Sequence, residues 1–320
     1  MFMKIAITGS EGFIGSRLAR KLTQAGHQIV PIDTAGASPV DLLDQETLTH
    51  ALSGCDAVYH LAAAHRDDIF PRSIYYDVNV TGTRNVIQSA QKNGINRIIF
   101  TSSFAVYGLS AKTPDEMTPP APFNDYGQSK LEAEYVLKKW AEASPEHKLT
   151  ILRPVVVFGE GNRGNVHTLI DQIARQKFLM IGSGKNKKSL AYVENVVDFL
   201  AHTLGFPHQI GLYNYADKPD LSTEEMISLI YTRLSVALPK IRLPYMAGLA
   251  GGYMFDGLSK VTGKRFPISS VRIQKFCADT TCSAEACRQT GFTPSFSLSD
   301  GLNRMIESDF IQSIRPAKTA

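Results

Sequence analysis

The sequence predicts an α/β fold in which a doubly wound parallel sheet carries a second, smaller domain. Two observations predict the sheet: short β-branched or apolar runs alternate with helix-length segments, and the first run ends in glycines that open into a helical pattern. A third predicts the second domain, because the alternation breaks down after Pro154.

Met3–Thr8 reads as the first strand, and Phe13–Ala25 follows with Phe13, Ile14, Leu18 and Leu22 at helical spacing before Gly26 stops it. Gln28–Ile32, Ala57–Leu61, Arg97–Thr101 and Leu149–Leu152 are further strand-like runs, with helices expected over Val78–Asn93 and Gln128–Ala143. Beyond Pro154 come a loop with Gly159, Gly161 and Gly164, a helix over Val166–Lys177, and a polar loop, Gly182–Lys188. Glu194–Leu204 reads as a helix of the main sheet, whereas Thr223–Leu234 and the rest of the C-terminal part do not continue the alternation. The expected division is therefore 1–160 with 189–215 in the sheet domain, and 161–188 with 216–320 in the second.

The 320 residues are 43% hydrophobic and 20% charged, the composition of a globular chain of about two domains. The net charge of +4 is too small and dispersed to predict a nucleic-acid partner. The N-terminus runs directly into a strand pattern without a signal-peptide layout, so a cytoplasmic protein with reduced thiols is expected. Cys277, Cys282 and Cys287 recur every five residues, a spacing that matches no zinc pattern, and no metal is expected. No apolar run reaches the ~18 residues of a spanning helix. Leu243–Phe255 is uncharged over thirteen residues and flanked by Lys240, Arg242, Lys260, Lys264 and Arg265. Two readings of it stay open: contact with a membrane interface, or packing of Leu243, Met246, Leu249, Tyr253 and Met254 in the domain interior.

The turn after the first strand is Thr8-Gly9-Ser10-Glu11-Gly12-Phe13-Ile14-Gly15. Gly9 permits a tight turn, Gly12 a close approach of backbone to a pyrophosphate, and Gly15 close packing of helix on strand, with the helix N-terminus facing the phosphates. Asp33 closes the second strand eighteen residues after Gly15, where its carboxylate accepts ribose hydroxyls and repels a 2′-phosphate. No Arg follows within Thr34–Ala37, which favours NAD over NADP. Tyr126 and Lys130 are four residues apart and share a helix face, so the lysine cation favours the phenolate and fits the phenol for acid/base work. Thr101-Ser102-Ser103 at the end of the preceding strand supplies a hydroxyl for the same substrate oxygen.

With these motifs in hand, the chain resembles the extended short-chain dehydrogenase/reductases, in their sugar-nucleotide epimerase/dehydratase branch. The resemblance rests on TGxxGxxG at 8–15, Asp41-Leu42, HLAAAH at 60–65, NVTGT at 79–83, TSSFAVYG at 101–108, YGQSK at 126–130, LRP at 152–154 and AYVENV at 191–196. It implies a Rossmann-like fold with bound NAD, and a homodimer. It makes Ser103, Tyr126 and Lys130 catalytic, Lys130 also binding nicotinamide ribose. Asp41 is implied to contact adenine, Ala62 and Ala63 to line the pyrophosphate, and His65 to stand near the cofactor. Phe13, Ile14, Leu42, Leu61, Asn79, Thr101 and Pro154 complete the implied cofactor set, and Phe104, Arg163, Asn165 and Lys188 the implied substrate set. Phe104 and Ala105 occupy positions where dehydratase members carry acidic groups, which leaves 4-epimerization or reduction of a 4-keto sugar. A nucleotide-sensing regulator without chemistry is the third possibility, though such chains typically lose the Tyr or Lys.

The stretches 62–86 and 242–278 look most like bacterial 4-epimerases of N-acetylglucosamine in O-antigen assembly, whose sugar is carried on undecaprenyl diphosphate or UDP. Two departures from UDP-galactose epimerases weaken an assignment to a tightly held UDP: Val155–Val157 replaces an Asn that meets the sugar diphosphate, and Lys188 replaces a uridine-binding Arg.

Overall fold

The computed structural model describes residues 2–66, 69–108, 112–238, 242–262 and 269–312. Lys240, Lys264 and Arg265 of the basic flanks lie outside them.

In chain order the elements are β1 (Lys4–Thr8), α1 (Gly15–Gln24), β2 (Gln28–Ile32), α2 (Gln45–Ala51), β3 (Ala57–His60), α3 (Ser73–Tyr76) running through a π-helical turn into α4 (Gly82–Lys92), and β4 (Arg97–Thr101). They continue with α5 (Asp125–Glu142), β5 (Lys148–Pro154), β6 (Val156–Phe158), α6 (Asn165–Ala174), β7 (Met180–Ile181), β8 (Lys187–Tyr192), α7 (Val193–Thr203) and β9 (Ile210–Tyr215). Last come β10 (Asp217–Ser222), α8 (Thr223–Leu234), β11 (Arg242–Leu243), α9 (Tyr245–Thr262), α10 (Ser270–Cys277), α11 (Glu285–Gln289) and α12 (Leu298–Ile306).

Six strands form a parallel sheet in the order β2-β1-β3-β4-β5-β9. The order reverses at β1, so the crevice outside its C-terminal end is the topological switch point where open α/β sheets bind ligands. The glycine turn sits there. On one face Ala6, Val58, Ile98, Phe100 and Ile151 pack against Val86, Ala90, Leu137 and Trp140 of α4 and α5. Burying the Val, Ile, Leu and Phe side chains among these stabilises the layer by ~1.5–3 kcal/mol each.

The chain divides into two compact units: Met1–Val157 with Val193–Ala216 and Cys282–Ser295, and Phe158–Tyr192 with Asp217–Thr281 and Phe296–Ala320. The expected bounds differ from these by one to four residues at 158–160, 189–192 and 216, and most at 282–295, which the expected division left in the second domain. The cause is packing: Cys287 Sγ donates to Asn214 O at 2.9 Å, and the Phe292 ring meets that of Phe199 edge-on at 5.1 Å. In the second unit, β8 and β10 pair antiparallel, and β7 and β11 pair parallel.

One helix boundary moved because a side chain caps the helix early. The helix expected from Gln128 starts at Asp125, because Asn124 Oδ1 accepts from Gly127 N at 2.9 Å. The polar loop expected to run to Lys188 gives way to β8 at Lys187.

Candidate active site

The glycine turn is as tight as its spacing predicts. Gly9 has φ +72°, and a Cβ on it would lie 2.8 Å from Ala62 N. A Cβ on Gly15 would come within 2.0 Å of Gly9 O, and one on Gly12 within 3.0 Å of it. Helix α1 behind the turn has no side-chain cap and no acidic residue in its first turn, leaving its positive end to an anion. Asp33 fastens the turn from β2: its Oδ2 accepts from Glu11 N and its Oδ1 from Ala35 N, each at 3.0 Å. Asp41 closes a turn by accepting from Leu43 N at 2.9 Å, and buried Leu42 packs under Gly82. The half-buried Phe13 carries the Arg17 guanidinium over its ring at 4.5 Å, next to Ile14.

A buried polar chain connects this turn to α5. Thr8 Oγ1 accepts from Leu61 N and Ala62 N, so its proton goes to His60 Nδ1 at 2.8 Å. His60 Nε2 then donates to Thr83 Oγ1 at 2.9 Å, and Thr83 donates to Asn79 O at 2.6 Å. Burial pushes the His60 pKa down to about 3, so the imidazole is neutral, as this pattern requires. The Asn79 amide fixes the 61–65 loop: its Oδ1 accepts from Ala64 N at 2.8 Å, and its Nδ2 donates to Ala64 O and to Ser129 Oγ. Ser129 in turn donates to Tyr126 O at 2.9 Å. Ala63 O is 3.3 Å from Nδ1 of the exposed His65.

A glycine seats the start of α5, which carries Tyr126, against the turn that follows Ser103. A Cβ on Gly127 would lie 2.7 Å from Ala105 O, so only glycine lets the start of α5 seat against the turn Phe104–Tyr107. Ser103 caps that turn by accepting from Ala105 N at 3.1 Å, which leaves its hydroxyl proton to donate. Phe104 packs with Val106, Tyr107 and Leu131. One helical turn beyond Tyr126, Lys130 is 2% exposed, donates to Thr101 O at 2.8 Å and lies 4.6 Å over the Phe100 ring. Desolvation pulls its pKa down to about 7 against the opposing charge of Glu134.

Glu134 and Arg153, which the motif reading missed, hold this end of α5. Glu134 is fully buried and takes Arg153 Nε at 2.8 Å, Arg153 Nη2 at 2.5 Å and the Ser102 hydroxyl at 2.5 Å. Arg153 Nη1 reaches Tyr107 Oη at 2.7 Å, and Tyr107 donates to Asn214 Oδ1 at 2.9 Å. The sequence carried a signal: Arg153 is a charge inside the otherwise buried apolar strand β5, and buried charges require partners. Glu134, one turn from Lys130, is the acid that α5 supplies.

The crevice fits a dinucleotide. Besides the glycine cradle, Ser10 Oγ and Thr101 Oγ1 are buried without a hydrogen-bond partner at the C-terminal ends of β1 and β4. Pro154 ends β5, the neighbouring strand. Of the expected substrate residues, Arg163 is exposed with Nη1 2.5 Å from His167 Nε2, and Asn165 opens α6. Lys188 lies in β8, where its Nζ donates to Lys275 O and Ala278 O at the end of α10, each at 2.7 Å. Desolvation lowers its pKa to about 8. All three belong to the second unit. Among the described residues no His, Cys, Asp or Glu group is arranged to hold a metal, and none of the four cysteines is in a disulfide.

The profile of the NAD dependent epimerase/dehydratase family matches residues 5–214, from β1 through nearly all of β9. The chain belongs to this family. It is 46% identical over 319 residues, 96% of this chain and 95% of the other, to N-acetyl-alpha-D-glucosaminyl-diphospho-ditrans,octacis-undecaprenol 4-epimerase of Escherichia coli O157:H7. Its fold is that of UDP-glucose 4-epimerase from Thermotoga maritima (TM-score 0.76, 19% identity, covering 98% of this chain and 100% of that one). It is likewise that of UDP-glucuronic acid 4-epimerase from Bacillus cereus, solved in complex with NAD (TM-score 0.74, 22% identity, 96% and 98% coverage).

Proposed function

We propose that the protein is an NAD-dependent 4-epimerase that interconverts N-acetylglucosamine and N-acetylgalactosamine on undecaprenyl diphosphate, in O-antigen assembly at the cytoplasmic side of the membrane. The observation that carries this reading is the 46% identity, sustained over 96% of the chain, to an enzyme whose name specifies that lipid carrier.

Bound NAD supplies the reversible acceptor for the hydrogen on sugar C4. Gly9, Gly12 and Gly15 with the α1 N-terminus hold its pyrophosphate, Asp33 its adenosine ribose, and Lys130 its nicotinamide ribose. Ala62, Ala63 and the orphaned hydroxyls of Ser10 and Thr101 line the same crevice. Tyr126 takes the proton of the sugar O4 hydroxyl and returns it, so one residue serves both faces of the sugar. The Lys130 ammonium favours the phenolate between those transfers. Ser103, whose oxygen already accepts a backbone N–H, donates its proton to the same sugar oxygen. In the second unit, Arg163, Asn165 and Lys188 are the residues assigned to the carrier diphosphate. We also assign a homodimer, for which sedimentation is the test; α5 leaves Tyr135 55% exposed on its outer face.

The test is to incubate purified protein, without added cofactor, with undecaprenyl-diphospho-N-acetylglucosamine and separately with UDP-N-acetylglucosamine, then identify the sugar released by mild acid. Conversion of the lipid-linked sugar alone is expected. Conversion of the UDP sugar instead would move the carrier to UDP, and turnover that consumes a reduced cofactor in proportion to product would make the protein a 4-keto-sugar reductase.

A further inference from the structure

Helix α9 packs inside out. A helix laid on a core normally buries its large apolar residues, whereas α9 docks through glycines. A Cβ on Gly248 would meet Ile181 Cγ2 at 2.5 Å, and one on Gly252 would lie 2.8 Å from Ser270 N and Cα. Leu249 and Phe255 stay half-buried, but four large side chains point the other way: Met246 is 71% exposed, Tyr253 57%, Met254 59% and Leu258 42%. With exposed Ala250 and Gly257 they occupy positions i, i+4, i+7, i+8, i+11 and i+12, a single stripe along a helix of 18 residues, roughly 27 Å long. Val271 on α10 adds a further exposed apolar residue. Of the two sequence readings of Leu243–Phe255, core packing therefore fails for Met246, Tyr253 and Met254.

The segment of chain that holds this stripe is predominantly basic in sequence. From Lys240 to Ala278 the chain carries seven Lys and Arg against a single acid, Asp256. That carboxylate is turned onto the start of α10, its Oδ2 accepting from Ser270 Oγ at 2.5 Å and Ser270 N at 3.1 Å. Arg242 pairs with Glu224 and Asp279 accepts from Lys187 N, while Arg272 and Lys275 are exposed on α10. No described helix is long and apolar enough to cross a membrane.

We propose that α9 lies in the interface of an anionic lipid bilayer, inserting Met246, Tyr253, Met254 and Leu258 while Arg272 and Lys275 of the neighbouring α10 draw it to the headgroups. Exposed apolar length on one face combined with surrounding positive charge is the pairing that holds interfacial helices at anionic membranes. This deepens the lipid-linked reading, since a sugar on a polyprenyl diphosphate is presented at a bilayer surface.

The experiment is flotation of the full chain with sugar-free vesicles of phosphatidylcholine mixed with phosphatidylglycerol, beside vesicles of phosphatidylcholine alone. The wild type is expected to float with the anionic vesicles and less with the neutral ones. The double variant Met254→Glu, Leu258→Glu is expected to lose about tenfold or more in vesicle affinity. Its conversion of a short-chain, water-soluble prenyl-diphosphate sugar should stay at the wild-type level. Equal flotation of wild type and variant, or none by the wild type, overturns the proposal. So does a wild-type oligomer that the variant dissolves, because a second copy would then cover the stripe. Vesicle binding without conversion of any lipid-linked sugar would leave the docking helix standing and remove the substrate reading.

Discussion

Tyr126 and Lys130 sit one helical turn apart, and their surroundings set what each does. For Tyr126→Phe the expected outcome is a fall in turnover of ~10²–10⁴-fold with NAD still bound, since the change removes only the proposed acid/base group; near-wild-type turnover would take Tyr126 out of the mechanism. Lys130 makes a prediction about pH. Its folded pKa, about 7, lies below the unfolded value near 10.5, so the unfolded chain binds more protons between those values and Lys130 makes stability rise with pH there. Urea unfolding of the cofactor-free protein from pH 7 to 9, measured against Lys130→Met, should show an extra upward slope of at most about 1.4 kcal/mol per pH unit. An identical slope in both proteins would mean that burial does not depress this lysine. YxxxK was legible in the sequence, and so was the chemistry it permits. Glu134 and Arg153 were not paired there, because 19 residues and a strand boundary separate two charges that meet only when α5 lies on β5. Breaking such a buried pair by removing one partner typically costs ~3–5 kcal/mol.

At the level of elements, glycines decide how closely segments approach. The spacing of Gly9, Gly12 and Gly15 predicted the nucleotide turn, and the closeness of a Gly15 Cβ to Gly9 O explains why no side chain fits. Gly127 carried no such expectation, because its neighbour Ala105 is 22 residues away. Gly127→Ala would push the start of α5 off the Phe104–Tyr107 turn and separate Tyr126 from Ser103. We expect a drop in kcat of about tenfold or more with little change in NAD affinity, since a misplacement of ~1 Å can cost ~10²-fold. Loss of NAD binding with kcat retained would assign Gly127 to the cofactor cradle instead. Helix caps show the same limit: Asn124 starts α5 three residues before the apolar pattern does.

In the whole molecule, the chain returns to the first unit after most of the second is built. Residues 282–295 complete the aromatic cluster of Phe199, Tyr215 and Phe292. Phe292 is half-buried, so Phe292→Ala should cost about 2 kcal/mol, below the usual ~3–5 for a fully buried Phe. The loss should register in the NAD-binding unit: bound NAD is expected to restore much of the thermal midpoint in the variant. A variant whose midpoint falls but does not respond to NAD would place the segment's contribution outside that unit.

The sequence by itself determined the parallel sheet, the nucleotide turn and the shared helix face of Tyr126 and Lys130, because each depends on residues close in the chain or on a period of two or 3.6. Only the tertiary structure decided that Asn79 ties the 61–65 loop to α5, that Lys188 holds the end of α10, that 282–295 rejoins the first unit, and that α9 turns its methionines outward. Those are long-range contacts. Whether an apolar helix buries its large or its small residues depends on the neighbour it meets, which periodicity along one segment does not encode.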